Sequence, residues 1–474
     1  MKCRFCRIKL LAAILTFLLA GCGTLAPRYT RPASPVPVSW PEGSAYQPAA
    51  EGTETRSAAE VGWREFFANE KLRKLMELAL ENNRDLRVSA LKIEKARAQY
   101  RIQRADLFPT LSIAGKGSVN RTPASLSTTG KRGTFEEYSV GLGMSSYEFD
   151  FFGRVRSLKD QTLEEYFATE EARRSAQITL IAEVATAYQT LAADRERLDL
   201  ARQTLKSHQA TYELTRSRFQ AGLATKLEVR QAQTSVDSTL VDIARYTSLT
   251  AEDENALRFL VGTDFSSALL PAALDEAVTD LKDIPAGVPS EVLQRRPDIL
   301  AAEHRLMGAN ANIGAARAAF FPRITLTASG GFASDALSSL FEGATGTWAF
   351  APRIELPIFN AGRLRAQLKT SKVDRDIYLA RYEGAIQGAF REVADALAQR
   401  GTIDDQLLAQ RSLVEATDES YILSEARFRK GIDSFLNVLD SQRSLYDAQQ
   451  NLITIRLARL DNFVKLYRVL GGGA

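Results

Sequence analysis

Few residues in this sequence could carry out bond-making chemistry. The chain has two histidines, His208 and His304, and three cysteines, Cys3, Cys6 and Cys22. Both histidines lie in stretches with helical periodicity, where a packed or solvated imidazole is the usual role. The sequence contains no GxxxxGK[ST] phosphate-binding loop and no HExxH zinc motif. It therefore gives no support to catalysis, and we predict neither a metal site nor a noncovalent cofactor.

Cys22 has the clearest chemical role of these residues. It follows Leu19, Ala20 and Gly21, a sequence similar to the bacterial lipobox, where cleavage before the cysteine frees its thiol for acylation. An N-terminal cluster of cations and an apolar run too short to cross a bilayer as a helix precede it, which is typical of a signal peptide. We predict a signal peptide over residues 1–21 and a covalent lipid on Cys22. The alternative is an ordinary signal peptide with a cysteine there by chance.

The residues around this motif indicate a location. Gly23 follows the cysteine where an inner-membrane retention signal usually has aspartate, so by similarity to bacterial lipoproteins the lipid would lie in the outer membrane. Residues 22–61 are rich in proline and small residues, which predicts an extended tether that separates the folded part from its lipid.

The charge balance excludes one class of partner. The first ten residues carry four cations, Lys2, Arg4, Arg7 and Lys9, and these account for the whole formal net charge of +4. Because the rest of the chain is neutral, we expect no nucleic-acid partner.

The body of the chain is an internal duplication. Gly153-Arg154-Val155-Arg156 recurs as Gly362-Arg363-Leu364-Arg365, and Arg218-Phe219 recurs as Arg427-Phe428. This places repeat 1 at residues 62–262, a connector at 263–289 and repeat 2 at 290–474. The duplication requires that each element of one repeat has a counterpart in the other.

Proline placement predicts long helices in both repeats. No proline occurs from residue 124 to 270 or after Pro357, and apolar residues in these tracts recur every three, four or seven positions. We predict long helices over 154–221 and 362–430. Glycine turns at Gly222 and Gly431 end them, and return helices follow over 223–261 and 433–470.

Alternating apolar and polar residues predict two strands in each repeat, over about 109–120, 134–150, 322–333 and 345–357. Their length suits tilted membrane-crossing strands, and each has one apolar face. A soluble sheet with one buried face is the alternative. Pro352 interrupts the last strand, which suggests a bulge or a sheet edge.

Two similar corners join strand to helix, YEFDFFGRVR at 147–156 and IELPIFNAGRLR at 354–365. Their acidic and basic residues suit the aqueous side of a membrane surface, whereas aromatic residues suit the interfacial belt. The predicted interfacial aromatic residues are Tyr147, Phe149, Phe151, Phe152, Trp348, Phe350 and Phe359.

These residues together resemble the TolC-like outer membrane factors, specifically the acylated branch of multidrug efflux lipoproteins. The resemblance covers nearly all of the mature chain, and its most specific motifs are residues 147–154, Arg296-Pro297-Asp298-Ile299 and Leu436-Asn437-Val438-Leu439-Asp440. It implies an α+β, mainly α, fold in which a long α-helical barrel continues into a transmembrane β-barrel. Each protomer of a homotrimer would contribute four of twelve strands.

The resemblance also implies a function and partners. The chain would be the exit duct of a tripartite, RND-type efflux system that exports drugs or other small molecules. Its partners would be outer membrane lipids, a periplasmic adaptor protein and an inner membrane pump. Two alternatives stay open: the exit duct of a type I protein secretion system, and a lipid-anchored coiled-coil scaffold without a pore.

Particular residues take roles from the same resemblance. Asp440 matches a position where family members close the periplasmic mouth with rings of aspartate, and Asn437 matches a second position that is acidic in some relatives. A solvated helix charge is the alternative for Asp440. The turns at Gly222, Leu223, Gly431 and Ile432 match the tips that meet the adaptor, although a tight turn alone would explain the glycines.

Overall fold

The computed structural model describes residues 23–46, 61–127, 130–274 and 290–472. The predicted signal peptide and Cys22 lie outside these residues, as does most of the connector. The helices are α1 Trp63–Phe66, α2 Glu70–Asn82, α3 Arg84–Ala105, α4 Arg154–Gln220, α5 Lys226–Val261, α6 Pro297–Ala318, α7 Arg363–Arg429 and α8 Phe435–Val469. The strands are β1 Leu111–Thr122, β2 Gly133–Glu148, β3 Arg323–Ser334 and β4 Gly346–Glu355. The chain is therefore mainly helical with one antiparallel sheet, as predicted.

The duplication is visible in the order of elements. In each repeat two strands lead into a helix of 67 residues and then into a shorter return helix. The return helices begin later than predicted, at Lys226 and Phe435, because Thr225 and Ser434 are N-cap residues with extended backbone. Pro297 opens α6 with Asp298 in its first turn, the favourable helix start predicted for Arg296-Pro297-Asp298. No helix among the described residues is long and apolar enough to cross a membrane.

The four strands form one sheet in the order β1-β2-β3-β4, with every neighbouring pair antiparallel. Pro352 pairs with Leu326 in continuous register, so the predicted irregularity at Pro352 is an edge strand and not a bulge. A proline is tolerated there because β4 needs no N–H donor on its outer side within this chain. The register shift lies instead in β2, between Met144 and Tyr147.

Contacts within the chain divide it into two units. Among the described residues, the sheet unit contains 23–33, 92–127, 130–170 and 301–382, and the helical unit contains 34–46, 61–91, 171–274, 290–300 and 383–472. The helical unit has a large apolar core in which the ring of Phe66 stacks on Tyr467 with centroids 4.0 Å apart. Asn83 links two helices in this core, because its amide nitrogen donates to Leu260 O at 2.8 Å while its oxygen caps α3. The core fixes where the return helices end.

The N-terminal strap, residues 23–33, packs against α6 within the sheet unit. Asn310 donates to Pro27 O at 2.7 Å, and Arg317 donates to Leu25 O at 3.0 Å. The strap has no helix or strand, so its carbonyl groups are free to accept these bonds. Residues 23–33 of the predicted tether therefore lie along α6.

Candidate functional site

The two helix turns predicted as tips have the same backbone design. After α4, Gly222 adopts a φ of 75°, and Leu223 N donates to Arg218 O at 2.8 Å. After α7, Gly431 adopts a φ of 74°, and Ile432 N donates to Arg427 O at 3.0 Å. These bonds satisfy the last carbonyl groups of each long helix, and the left-handed backbone conformation explains why glycine stands at both positions.

Each turn then starts its return helix differently. Thr225 and Glu228 form a capping box, in which Thr225 Oγ1 accepts from Glu228 N at 3.2 Å and the carboxylate of Glu228 accepts from Thr225 N. At the second turn Ser434 makes no side-chain cap bond. Asp433 instead pairs with Arg427, with Oδ2 and Nε 2.5 Å apart. That pair lowers the pKa of Asp433 through the hydrogen bond from Arg427.

The turns leave one apolar side chain each in solvent. Leu223 is 71% exposed and Ile432 is 60% exposed, while a methyl group added to Gly222 or Gly431 would meet no atom within 4 Å. The four residues predicted as adaptor-docking tips are therefore accessible in this chain.

The helix segments next to the two turns pack on each other. A small apolar cluster there is formed by Ala232, Phe428, Phe435, Val438 and Leu439, with Tyr212 and Tyr421 against it. The guanidinium of Arg218 lies 4.5 Å from the ring centroid of Phe428, a cation–π contact between α4 and α7. The cluster therefore holds both turns together as one structural element.

Asp440 and Asn437 project away from this cluster. Val438 and Leu439 are buried on α8, whereas Asn437 and Asp440 are exposed and, three residues apart, lie on one face of the helix. The Asp440 side chain is 62% exposed, and its nearest cation is Arg443, with Oδ1 and Nη1 4.0 Å apart. Because such a distant exposed pair stabilises a protein little, the carboxylate of Asp440 is available to solvent or to another copy of the chain.

Two reciprocal hydrogen bonds tie α5 to α8, which carries Asp440. Tyr446 Oη donates to Asp242 Oδ2 at 3.1 Å, and Tyr246 Oη donates to Gln450 Oε1 at 3.1 Å. Burial raises the pKa of Tyr446, and the nearby negative charge of Asp242 raises it further. The hydroxyl therefore stays a neutral donor. Sequence reasoning missed these pairs. No local pattern marks them, because the partners in each bond are 204 positions apart.

The first strand–helix corner is stabilised by its own charges. Arg154 donates Nε to Glu148 Oε1 and Nη2 to Glu148 Oε2, both at 2.8 Å. Asp150 accepts from the backbone N–H groups of Val155 at 3.1 Å and Arg156 at 2.9 Å, and from the Arg156 side chain. Asp150 therefore caps the start of α4.

Five of the seven predicted interfacial aromatic residues lie in the two corners, whereas Trp348 and Phe350 lie within β4, before the second corner begins at Ile354. Tyr147 and Phe152 are half-buried, and the ring of Phe152 stacks on Phe321 with centroids 4.7 Å apart. The remaining five are exposed: Phe149, Phe151, Trp348, Phe350 and Phe359.

No group of three or more potential metal ligands is present in the part of the chain that the structure describes.

Both histidines have packed roles. His208 is 5% exposed, and its Nδ1 lies 3.0 Å from Ser235 O and 2.8 Å from Thr239 Oγ1. Burial lowers the pKa of His208. His304 Nδ1 lies 2.7 Å from a carboxylate oxygen of Glu164. Both imidazoles therefore contact groups of the chain itself.

A family model described as outer membrane efflux protein matches residues 75–263 and 288–472. The chain belongs to this family. The resemblance to the TolC-like outer membrane factors is confirmed, and the location is the bacterial outer membrane. The matched relatives and solved structures are channel and transport proteins.

Individual relatives cover nearly the whole chain. A protein of Pseudomonas putida described as the probable efflux pump outer membrane protein TtgC is 52% identical over 97% of this chain and 94% of its own length. The outer membrane protein OprJ of Pseudomonas aeruginosa is 44% identical over 98% of this chain and 95% of its own length.

A solved structure supports the fold. The open state of the MtrE outer membrane channel of Neisseria gonorrhoeae is 38% identical, with a TM-score of 0.86 over 95% of this chain and 98% of its own.

Proposed function

We propose that this chain is the exit duct of a tripartite efflux system and carries drugs or other small molecules out through the outer membrane. The observation that carries the proposal is the exposed apolar face of the sheet. Its pairing register places Ile113, Leu142, Phe332, Trp348 and Phe350 on one face. All five are exposed. An apolar face of this size on exposed strands is suited to lipid.

The edges of the sheet support assembly from several copies. β1 and β4 are its outer strands among the described residues, and unpaired strand edges are strongly unfavourable in a bilayer. Three copies that join β4 of one chain to β1 of the next would form a closed barrel of twelve strands. A trimer also places three Asp440 carboxylates around one axis.

The proposed gate consists of these three carboxylates, with Asn437 one turn earlier on the same face of α8. Three negative charges at a constriction attract cations and hinder anions. With asparagine at 437, the gate would have one acidic ring and not two.

We further propose that the tips at Gly222, Leu223, Gly431 and Ile432 dock a periplasmic adaptor protein, which connects the duct to an inner membrane pump. Leu223 and Ile432 supply the exposed apolar contacts. The duct needs no cofactor and no catalytic group of its own, because the pump would supply the driving energy.

The proposed lipid on Cys22 fits the position of the strap. Thr24, two residues after Cys22, lies against Gly153 at the first corner, where an added Cβ would come within 2.8 Å of Thr24 Cα. The described end of the strap thus lies at the first corner, at the proposed membrane surface, which is where a lipid anchor would be needed.

Drug accumulation in cells with and without this chain, expressed beside its candidate pump and adaptor, tests the proposal. We expect deletion to raise the retained drug and restored expression to lower it again. Unchanged drug accumulation together with loss of a secreted protein would instead assign the chain to protein secretion.

A further inference from the structure

The two strand–helix corners share a sequence pattern but differ in charge balance. In the first corner, residues 147–156, Arg154 pairs with Glu148 and Arg156 pairs with Asp150. In the second corner, residues 354–365, Glu355 pairs with Arg353 at 3.4 Å. Pro357, which cannot carry charge, stands two residues after Glu355 where the first corner has Asp150 after Glu148.

No acidic residue of this corner therefore balances the positive charges of Arg363 and Arg365. Both are exposed, and neither has an ion pair or side-chain hydrogen bond to a described residue. They lie in the first turn of α7, which contains no acidic residue. Cations at a helix N-terminus are unfavourable because they face the positive end of the helix dipole. An anion bound by these guanidinium groups would reverse that repulsion.

A cavity of about 300 Å³ lies beside Arg363 in the sheet unit. Five of its charged lining side chains form ion pairs. Glu148 pairs with Arg154 and Arg323, which also line the cavity. Asp150 and Glu355 pair with residues outside the lining, Arg156 and Arg353. Arg363 is the remaining charged lining residue. The cavity thus offers one uncommitted guanidinium to a ligand.

The N-terminal strap fills the first corner but not the second. A Cβ on Gly153 would lie 3.1 Å from Gly23 O, whereas a Cβ on the equivalent Gly362 would meet nothing within 4 Å. A strap from a second copy is a poor occupant, because Arg28 and Arg31 are its only charged residues. Those cations would repel Arg363 and Arg365.

Exposed apolar side chains lead into the second corner. Ile354 is 70% exposed, Ile358 is 92% exposed and Phe359 is 89% exposed. A ligand that fits this arrangement has a negative head for the two guanidinium groups and hydrocarbon for the three apolar residues. Guanidinium binds phosphate through paired N–H donors, which makes it well suited to a lipid phosphodiester.

We propose that Arg363 and Arg365 bind the phosphate of a membrane phospholipid headgroup, with its acyl chains along Ile354, Ile358 and Phe359. The inference rests on the proposed membrane placement of the corner. It gives the second repeat a bound lipid where the first repeat has the strap and its own ion pairs.

Native mass spectrometry of the full acylated protein in detergent tests this. Dioleoylphosphatidylglycerol is titrated against dioleoylglycerol, which has the same acyl chains without phosphate. We expect the phospholipid to bind at least about tenfold more tightly, as hydrogen bonds to charged groups imply. Arg363→Gln with Arg365→Gln should abolish this preference. Arg363→Lys with Arg365→Lys should retain part of it, because charge remains while the paired donors are lost.

The matched control is Arg101→Gln with Arg104→Gln, which removes two exposed arginines of α3 and should leave the preference intact. An equal phospholipid preference in the Arg363→Gln, Arg365→Gln protein overturns the proposal. Complete displacement of the lipid by an equal concentration of inorganic phosphate overturns it too, and indicates a site for free phosphate. Conductance of the same samples separates the two proposals, because a conducting protein without phosphate preference contradicts only the lipid site.

Discussion

Arg31 of the N-terminal strap and Glu303 of α6 form a bidentate ion pair, with Nε 2.7 Å from Oε1 and Nη2 2.6 Å from Oε2. Tyr29 Oη donates to the same carboxylate at 3.0 Å. The Glu303 side chain is 4% exposed, whereas that of Arg31 is 50% exposed. A buried carboxylate thus depends on two residues of the strap for its partners, and this dependence fixes the strap on α6.

Replacement of Arg31 by alanine should release the strap. Glu303 would keep a buried charge without its cation, which destabilises the docked strap by about 2 kcal/mol once the exposure of Arg31 is considered. Limited trypsin digestion checks this, because detachment exposes the bond after Arg28. We expect cleavage roughly thirtyfold faster than in wild type, since cleavage follows the open population.

The control for this experiment is Thr30→Ala, an exposed strap residue between Tyr29 and Arg31, which should be cut at the wild-type rate. Equal cleavage of Arg31→Ala and wild type would show that the ion pair does not hold the strap.

Asp461 of α8 should make stability depend on pH. Burial raises its pKa to about 6, so the folded chain holds this proton at pH values where the unfolded chain has released it. The contribution of Asp461 to stability is therefore present below its ordinary pKa and is lost as pH rises through about 6. Asp461→Asn should stabilise the protein at pH 8 by on the order of 1 kcal/mol, after discount for partial exposure, and have little effect at pH 4.

Thermal unfolding at the two pH values measures this effect. Asp418→Asn, an exposed acid on α7, is the control and should change the melting temperature little at either pH. A melting temperature of Asp461→Asn equal to that of wild type at pH 8 would contradict the prediction.

The apolar tips should control adaptor binding. Leu223→Asp combined with Ile432→Asp places charge on both exposed contacts, so we expect affinity for the purified adaptor to fall at least about tenfold. Leu408→Asp is the matched control, because Leu408 is 70% exposed on α7 outside the turns. If the double variant forms intact trimers that bind the adaptor with wild-type affinity, the tips are not part of the docking surface.

Asp440 should limit ion flow. In the proposed trimer this substitution removes three carboxylates from the proposed gate, which weakens cation binding there and widens the opening. Asp440→Ala should therefore raise single-channel conductance roughly twofold and reduce cation selectivity. Asp418→Ala changes an exposed acid on α7, away from the proposed gate, and should affect neither quantity. If both variants behave like wild type, Asp440 is an ordinary solvated charge.

The regular elements were predictable because their signals are local. Absence of proline and helical periodicity predicted α4 over 154–221 and α7 over 362–430, next to the observed Arg154–Gln220 and Arg363–Arg429. Alternation predicted all four strands. The similar corners predicted where strand passes to helix, and both transitions occur there.

Features that join distant segments could not be predicted in this way. The prolines of the strap indicate extended backbone. They do not indicate that Glu303 and Asn310 on α6 bind the strap. Likewise, Tyr446 and Asp242 bond only because of how α5 and α8 are rotated against each other. A single sequence shows periodicity along one helix, whereas such pairs depend on the relative rotation of two helices.

The central claim is that copies of this chain join their sheets into one conducting channel. Purified, acylated wild-type protein reconstituted in a planar bilayer tests it most directly, with its mass measured in the same preparation. We predict trimers that conduct in discrete, cation-preferring steps. A monomer, or a membrane-inserted protein that passes no current, would contradict the account.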